Sequence, residues 1–189
     1  MKIKRVLFVS ASRADFYLQK ILINKIIKKT NLKISLIITG NHFFEKFGYT
    51  YKDIYKEKYK FLHTIKVINE IKKDNSLIFS FLCKEFNKKI RKINPDTLIL
   101  FGDRYEMLSA AIASMFLNIP IIHLHGGEST EGSIDDNIRH AITKMSHFHF
   151  VASNKYKKNV IQLGENPKNI FNTGSLSAER IKVMKKMSN

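Results

Sequence analysis

Three short polar runs hold the residues best suited to chemistry: Ser10-Ala11-Ser12-Arg13-Ala14-Asp15, Gly102-Asp103-Arg104 and His125-Gly126-Gly127-Glu128, the last running on to Asp135-Asp136. Carboxylates take and give protons, and arginine binds anionic oxygen with a rigid fork of N–H groups. The two types together suggest an anionic substrate handled by acid/base chemistry. Each run also has a plainer reading. Ser12 or Asp15 could cap a helix, and Asp103 and Asp135 could do the same for the helical segments that follow them. Arg13 caps nothing at a helix start. The pair Gly126-Gly127 permits positive φ and close approach of backbone to a ligand, and it serves equally as a structural turn.

Five of the seven histidines lie between His123 and His149, which raises the question of a metal. His123 and His125 alternate along a strand-like run, as do His147 and His149, so each pair is expected to point to one face. No HExxH and no Cys/His ligand spacing accompanies them, and packed, hydrogen-bonded core histidines are the simpler expectation. No metal and no cofactor is expected.

The elements that must position these runs are legible in the hydrophobic pattern. Short β-branched stretches recur at 3–9, 34–39, 62–67, 97–101, 120–124 and 148–152, with a seventh short candidate at 170–172. Amphipathic segments of helical length separate most of them, at 15–29, 76–92, 104–118, 135–147 and 154–163. Alternation of this kind, with strands apolar at nearly every position, predicts an α/β fold: a Rossmann-like parallel sheet with helices on both faces. The stretch 40–60, rich in aromatics and lysine, is the least regular. All three polar runs follow predicted strands, so they are expected to face one crevice beyond the carboxyl ends of the sheet.

Composition narrows the classes of function. The net charge of +17 would suit a nucleic-acid binder, but 27 of the 33 basic residues are lysine and only 6 are arginine. Between Phe101 and Ser153 the balance is reversed, with Asp103, Glu106, Glu128, Glu131, Asp135 and Asp136 against Arg104, Arg139 and Lys144. A solvated lysine surface explains the charge better than a nucleic-acid track, which would interleave arginine and aromatics on one face. The single cysteine, Cys83, leaves no intramolecular disulfide and fits a reducing cytoplasm. The apolar start is too short for a secretory leader, and no stretch approaches the ~20 apolar residues of a membrane span. The expected partner is therefore a small anionic substrate, with neither nucleic acid nor membrane.

A specific resemblance lies in the runs Gly102-Asp103-Arg104-Tyr105-Glu106, Ile119-Pro120-Ile121-Ile122-His123-Leu124-His125-Gly126-Gly127-Glu128 and Ile134-Asp135-Asp136-Asn137-Ile138-Arg139-His140-Ala141-Ile142-Thr143-Lys144. With Ser12-Arg13-Ala14-Asp15 before them and Phe171-Asn172-Thr173-Gly174-Ser175-Leu176 after, they closely resemble the hydrolysing UDP-N-acetylglucosamine 2-epimerases of the sialic and legionaminic acid type. The resemblance implies two Rossmann-like domains facing across a cleft, as in the glycosyltransferase B architecture. Residues 1–175 would form the N-terminal domain, and 176–189 a helix leading toward a C-terminal domain, with a homo-oligomer possible at full length.

The same resemblance implies a UDP-sugar substrate, loss of UDP together with the C2 proton to give a glycal, and addition of water with C2 inverted. It puts Asp103 and Asp135 at acidic positions of the site and Arg13 and Arg104 at substrate-facing positions, with Asp136 and Arg139 also counted as substrate-binding. Which carboxylate performs which step is open. Family members often carry glutamate where this chain has His125, so either His125 or Glu128 is expected to carry a proton transfer. Two other readings are compatible with the sequence: a non-catalytic sugar-nucleotide-binding module, and a glycosyltransferase donor domain.

Overall fold

A computed structural model describes residues 4–67, 74–130 and 134–187. Among these residues seven parallel strands form one sheet in the order β3-β2-β1-β4-β5-β6-β7. They are β1 (Arg5–Ser10), β2 (Lys33–Ile38), β3 (Leu62–Thr64), β4 (Thr97–Phe101), β5 (Ile121–Leu124), β6 (Phe148–Val151) and β7 (Ile170–Asn172). The helices are α1 (Arg13–Lys29), α2 (Tyr51–Lys56), α3 (Asn75–Ile93), α4 (Tyr105–Phe116), α5 (Ile134–Met145), α6 (Asn154–Gln162) and α7 (Leu176–Met187). All seven expected strands and all five expected helices form, with ends shifted by a few residues. Ile3, the expected start of the first strand, lies outside the described residues.

Alternation along the strands supplies two cores. Leu7 and Val9 of β1 and Leu98 and Leu100 of β4 turn to one face, where Leu82, Phe86 and Ile90 of α3, Met107 and Ala110 of α4 and Ile142 of α5 cover them. Small residues on α4, among them Ala110, Ala111 and Ala113, let α3 approach closely. Val6 and Phe8 of β1 turn to the opposite face and meet Phe16 and Ile23 of α1. Burying both faces is what permits strands with almost no polar positions.

The irregular stretch after β2 forms two short 3-10 turns, Gly40–Phe43 and Glu45–Phe47, followed by α2. Its aromatics pack on one another, with Phe43 stacked on Tyr51 at 5.1 Å between ring centres. The expected third strand stops at Thr64, short of Val67. Ile65 still donates its N–H to Ile38 O at 3.0 Å before the chain leaves the sheet.

β1 is the switch point of the sheet: β2 and β3 lie on one side of it, and β4 through β7 on the other. The crossovers therefore diverge between β1 and β4, leaving a crevice beyond their carboxyl ends. The loops after β1, β2, β4 and β5 all open on that edge.

Candidate active site

At the first loop the sequence encodes a capping box. Ser12, extended at φ −146°, accepts from the Asp15 N–H at 3.4 Å, while Asp15 accepts from the Ser12 N–H at 3.0 Å. Asp15 is thus a helix cap, but it does more. Ser10 donates its hydroxyl to Asp15 Oδ1 at 2.7 Å, which leaves Ser10 Oγ to accept from His42 Nε2 at 2.9 Å. His42 Nδ1 then accepts from the Thr50 hydroxyl at 2.7 Å. Ser10, His42, Asp15 and Thr50 are all buried, and this chain of bonds ties the loop after β2 to the loop after β1.

The group is no catalytic triad, because the aspartate contacts the serine and not the histidine. Burial pushes the Asp15 carboxyl up, opposed by the Ala11 and Ser12 amides and by Ser10. Burial, with the charge of Arg104, pushes His42 down to about 4. Arg13 sits exposed at the first turn of α1, with no ion pair to a described residue.

Arg104 joins this side of the crevice. Its Nε and Nη2 donate to the two oxygens of Glu106, at 3.0 and 2.7 Å. Glu106 is fully buried, and Gly40 makes room for it: a Cβ at Gly40 would fall 2.4 Å from Glu106 Oε1. Burial alone would destabilise the Arg104 charge, but Glu106 and then Asp15 outweigh it and raise the pKa. Neither Glu106 nor His42 stood out as a site residue in the sequence. Glu106 lies inside a run that carries the family resemblance, whereas His42 has no local signal.

A second cluster gathers around Arg139 of α5. Its Nη2 is ion-paired with Asp103 Oδ2, and its Nη1 donates to Asp136 Oδ1 at 2.9 Å and to the Glu128 carbonyl at 2.7 Å. Asp136 also accepts from the Thr130 N–H at 2.8 Å and the Ser129 hydroxyl at 3.0 Å. Asp103 does not cap α4. The N-cap is Arg104, whose side chain makes no capping bond, and Asp103 turns to Arg139 instead. Arg139 is 5% exposed, so its guanidinium works mainly within the protein. Asp135 is exposed in the first turn of α5.

The histidines divide by environment. His123 faces the core, donates from Nε2 to Gly102 O at 2.8 Å and accepts at Nδ1 from the Thr143 hydroxyl at 3.1 Å. Burial pushes its pKa down to about 4, so it is a neutral prop beneath the Gly102-Asp103 turn. His125 does not share that face as expected, because it leaves β5 with a left-handed φ of 63°. Its Nδ1 lies 2.7 Å from Glu128 Oε1, and its ring packs 4.8 Å from that of Phe101. Among the described residues no group of three His, Cys, Asp or Glu is placed to hold a metal ion.

The glycine pair after β5 is filled by protein. A Cβ at Gly127, where φ is 78°, would fall 2.5 Å from Tyr156 O and 2.7 Å from Val160 of α6. One at Gly126 would fall 3.0 Å from both His123 Nδ1 and Thr143 Oγ1. These glycines let the loop lie against α6 and the His123–Thr143 pair, which is how Glu128 comes to the crevice. Beside it, a cavity of about 540 Å³ opens under α1 and α7, walled by Ile99, Ile122, Leu124, Phe150 and the His125 ring.

An all-parallel sheet in this order, with carboxylates and arginines gathered beyond its carboxyl edge, defines a Rossmann-like domain of the kind that forms one half of glycosyltransferase-B-like proteins. The chain belongs to the UDP-N-acetylglucosamine 2-epimerase family, whose pattern matches residues 24–189.

It is 44% identical over 190 residues to the GDP/UDP-N,N'-diacetylbacillosamine 2-epimerase (hydrolyzing) of Campylobacter jejuni, an alignment covering 97% of this chain and 48% of that protein. Its fold is similar to the UDP-GlcNAc 2-epimerase of Neisseria meningitidis bound to UDP-GlcNAc, with a TM-score of 0.79 at 18% identity, over 97% of this chain and 52% of that one. Acinetobacter baumannii MurG shares the fold more distantly, with a TM-score of 0.61 at 11% identity, over 80% of this chain and 42% of that one. The chain spans about half the length of the curated relatives it matches. Among the described residues no helix is long and apolar enough to cross a membrane.

Proposed function

We propose that this chain supplies the N-terminal half of a hydrolysing UDP-N-acetylhexosamine 2-epimerase, and that it does not turn over alone. The observation carrying this reading is the gathering of Asp103, Asp136 and the Glu128 loop around Arg139 at the carboxyl edge of β4 and β5, within a chain of this family.

In the proposed reaction a carboxylate takes the C2 proton. The C–H electrons form the C1=C2 bond as the C1–O bond breaks, and UDP departs with that electron pair. Water then adds its oxygen to C1 and gives up one O–H proton to a carboxylate, while an acid delivers a proton to C2 from the opposite face. Asp103, Glu128 and Asp135 are the groups offered for these transfers. Arg13 and the remaining Nη1 edge of Arg104 offer positive charge to the diphosphate.

Half a cleft binds half a ligand, so the isolated chain is expected to hold UDP weakly. Calorimetric titration of the 189-residue chain with UDP tests this, and micromolar affinity overturns the shared-cleft reading. UDP release should be absent with the chain alone and present once a C-terminal half is supplied. Offering UDP-N-acetylglucosamine and UDP-N,N'-diacetylbacillosamine in parallel identifies the hexosamine.

A further inference from the structure

The surroundings of His125 assign the proton on its ring. The Leu176 N–H, at the first turn of α7, points at His125 Nε2 at 3.3 Å. A backbone N–H can only donate, so Nε2 must present its lone pair and carry no hydrogen. The proton of the neutral ring then resides on Nδ1, which donates to Glu128 Oε1 at 2.7 Å. Phe101 packs against the ring at 4.8 Å and resists its rotation. The backbone supports the same geometry: at φ 63° His125 has left the strand, which carries its ring away from the core face that His123 occupies.

We propose that His125 is a positioning residue, locked as the Nδ1–H tautomer between Glu128 and the first amide of α7. One ring then fixes two things. It holds the Glu128 carboxylate by one oxygen, leaving Oε2 for the crevice, and it anchors the start of the helix that follows the sheet. With Nε2 occupied by Leu176 and Nδ1–H by Glu128, the ring itself has no nitrogen turned to a substrate. Of the two residues at this loop, Glu128 is therefore the one available for proton transfer. The tautomer lock does not depend on the proposed reaction; only its consequence for the choice of Glu128 rests on that reading.

Long-range 1H–15N correlation of the histidine rings in the 15N-labelled chain, in mildly alkaline buffer, reads the tautomer directly. The expected result for His125 is a protonated Nδ1 and a bare Nε2. A dominant Nε2–H signal overturns the proposal.

Leu176→Pro removes the donor at a helix start, where proline is tolerated. The expected result is a shift of the His125 signals toward a mixture of tautomers, with unchanged circular dichroism; an unshifted tautomer in a folded variant overturns the lock. Should that variant fail to fold, His125→Phe provides a second reading. The Leu176 amide should then exchange about tenfold faster than in the parent, the loss expected for one ordinary hydrogen bond. Exchange at the parental rate overturns the anchor.

Discussion

Arg139 on α5 and Asp103 after β4 lie 36 positions apart in the chain and meet as an ion pair at the carboxyl edge of the sheet. The pair makes Asp103 both a candidate acid or base and a partner of a nearly buried charge. Asp103→Asn, in a protein that includes the C-terminal half, is expected to lower turnover by ~10²- to 10⁴-fold. It should also lower stability by about 1–3 kcal/mol, because Arg139 loses its counter-charge. Asp135→Asn, at an exposed position, should lower turnover with a stability change within about 0.5 kcal/mol. UDP release and urea unfolding, measured side by side, separate the two. If Asp135→Asn only lowers stability, Asp135 is a helix-start residue and no part of the chemistry.

Arg139→Met removes the contacts to Asp103, Asp136 and the Glu128 carbonyl at once. A loss of roughly 3 kcal/mol is expected, since a broken buried pair leaves its partners uncompensated. Arg139→Lys should recover less than half of that, because a single ammonium cannot reproduce the planar fork. Urea denaturation of both variants checks the order, and equal stabilities would remove the clamp from the account.

Acid should destabilise this chain well above the range where carboxylates titrate. His42 and His123 are held to about 4 by burial, whereas in the unfolded chain they titrate near ~6.5. Between those values the unfolded state binds protons that the folded state refuses. Their contribution is therefore complete above pH ~6.5 and is lost as pH falls toward ~4. His123 alone accounts for on the order of 3 kcal/mol across that window. Asp15 acts with the opposite sign. Its raised pKa favours the fold at low pH and withdraws that support as pH rises. Stability measured from pH 7 to 4 should fall, and His123→Gln should flatten the slope by about one proton. An unchanged slope would mean that His123 titrates normally in the fold.

Gly127→Ala should cost at least about 2 kcal/mol, since it adds strain at positive φ to a clash with a backbone carbonyl of α6. Gly126→Ala meets side-chain atoms of His123 and Thr143 at 3.0 Å, without positive φ or a backbone clash, so a smaller drop in Tm is expected. Equal drops for the two would show that the contact with α6 is not what the pair serves.

The sheet and its helices were legible because β-branched runs and 3.6-residue periodicity are local signals, and a polar run directly after such a strand locates the crevice. Contacts made across the chain left no such trace. The Ser10–His42 link joins a strand end to the stretch 40–60, where aromatic packing replaces periodicity. Arg139 reads from the sequence, through the family resemblance, as a substrate-binding cation. Only the fold shows it turned inward to Asp103. Gly126-Gly127 suggested room for a ligand, but the neighbours that demand glycine are Tyr156, Val160, His123 and Thr143.

Ribosomal synthesis meets this sheet from its middle. β1 emerges first yet occupies an interior position, and although β2 follows at once, its other edge waits for the pairing of Val6 with Thr97. At ordinary elongation rates of 5–20 residues per second, that wait lasts roughly 5 to 20 s. Through it Val6, Leu7 and Phe8, among the most apolar residues of the chain, lie along an open β-edge, the kind of surface that chaperones bind and aggregates recruit. From β4 outward the strands lie in chain order, β5, β6 and β7, and among the described residues β7 is the outermost, with Phe171 42% exposed.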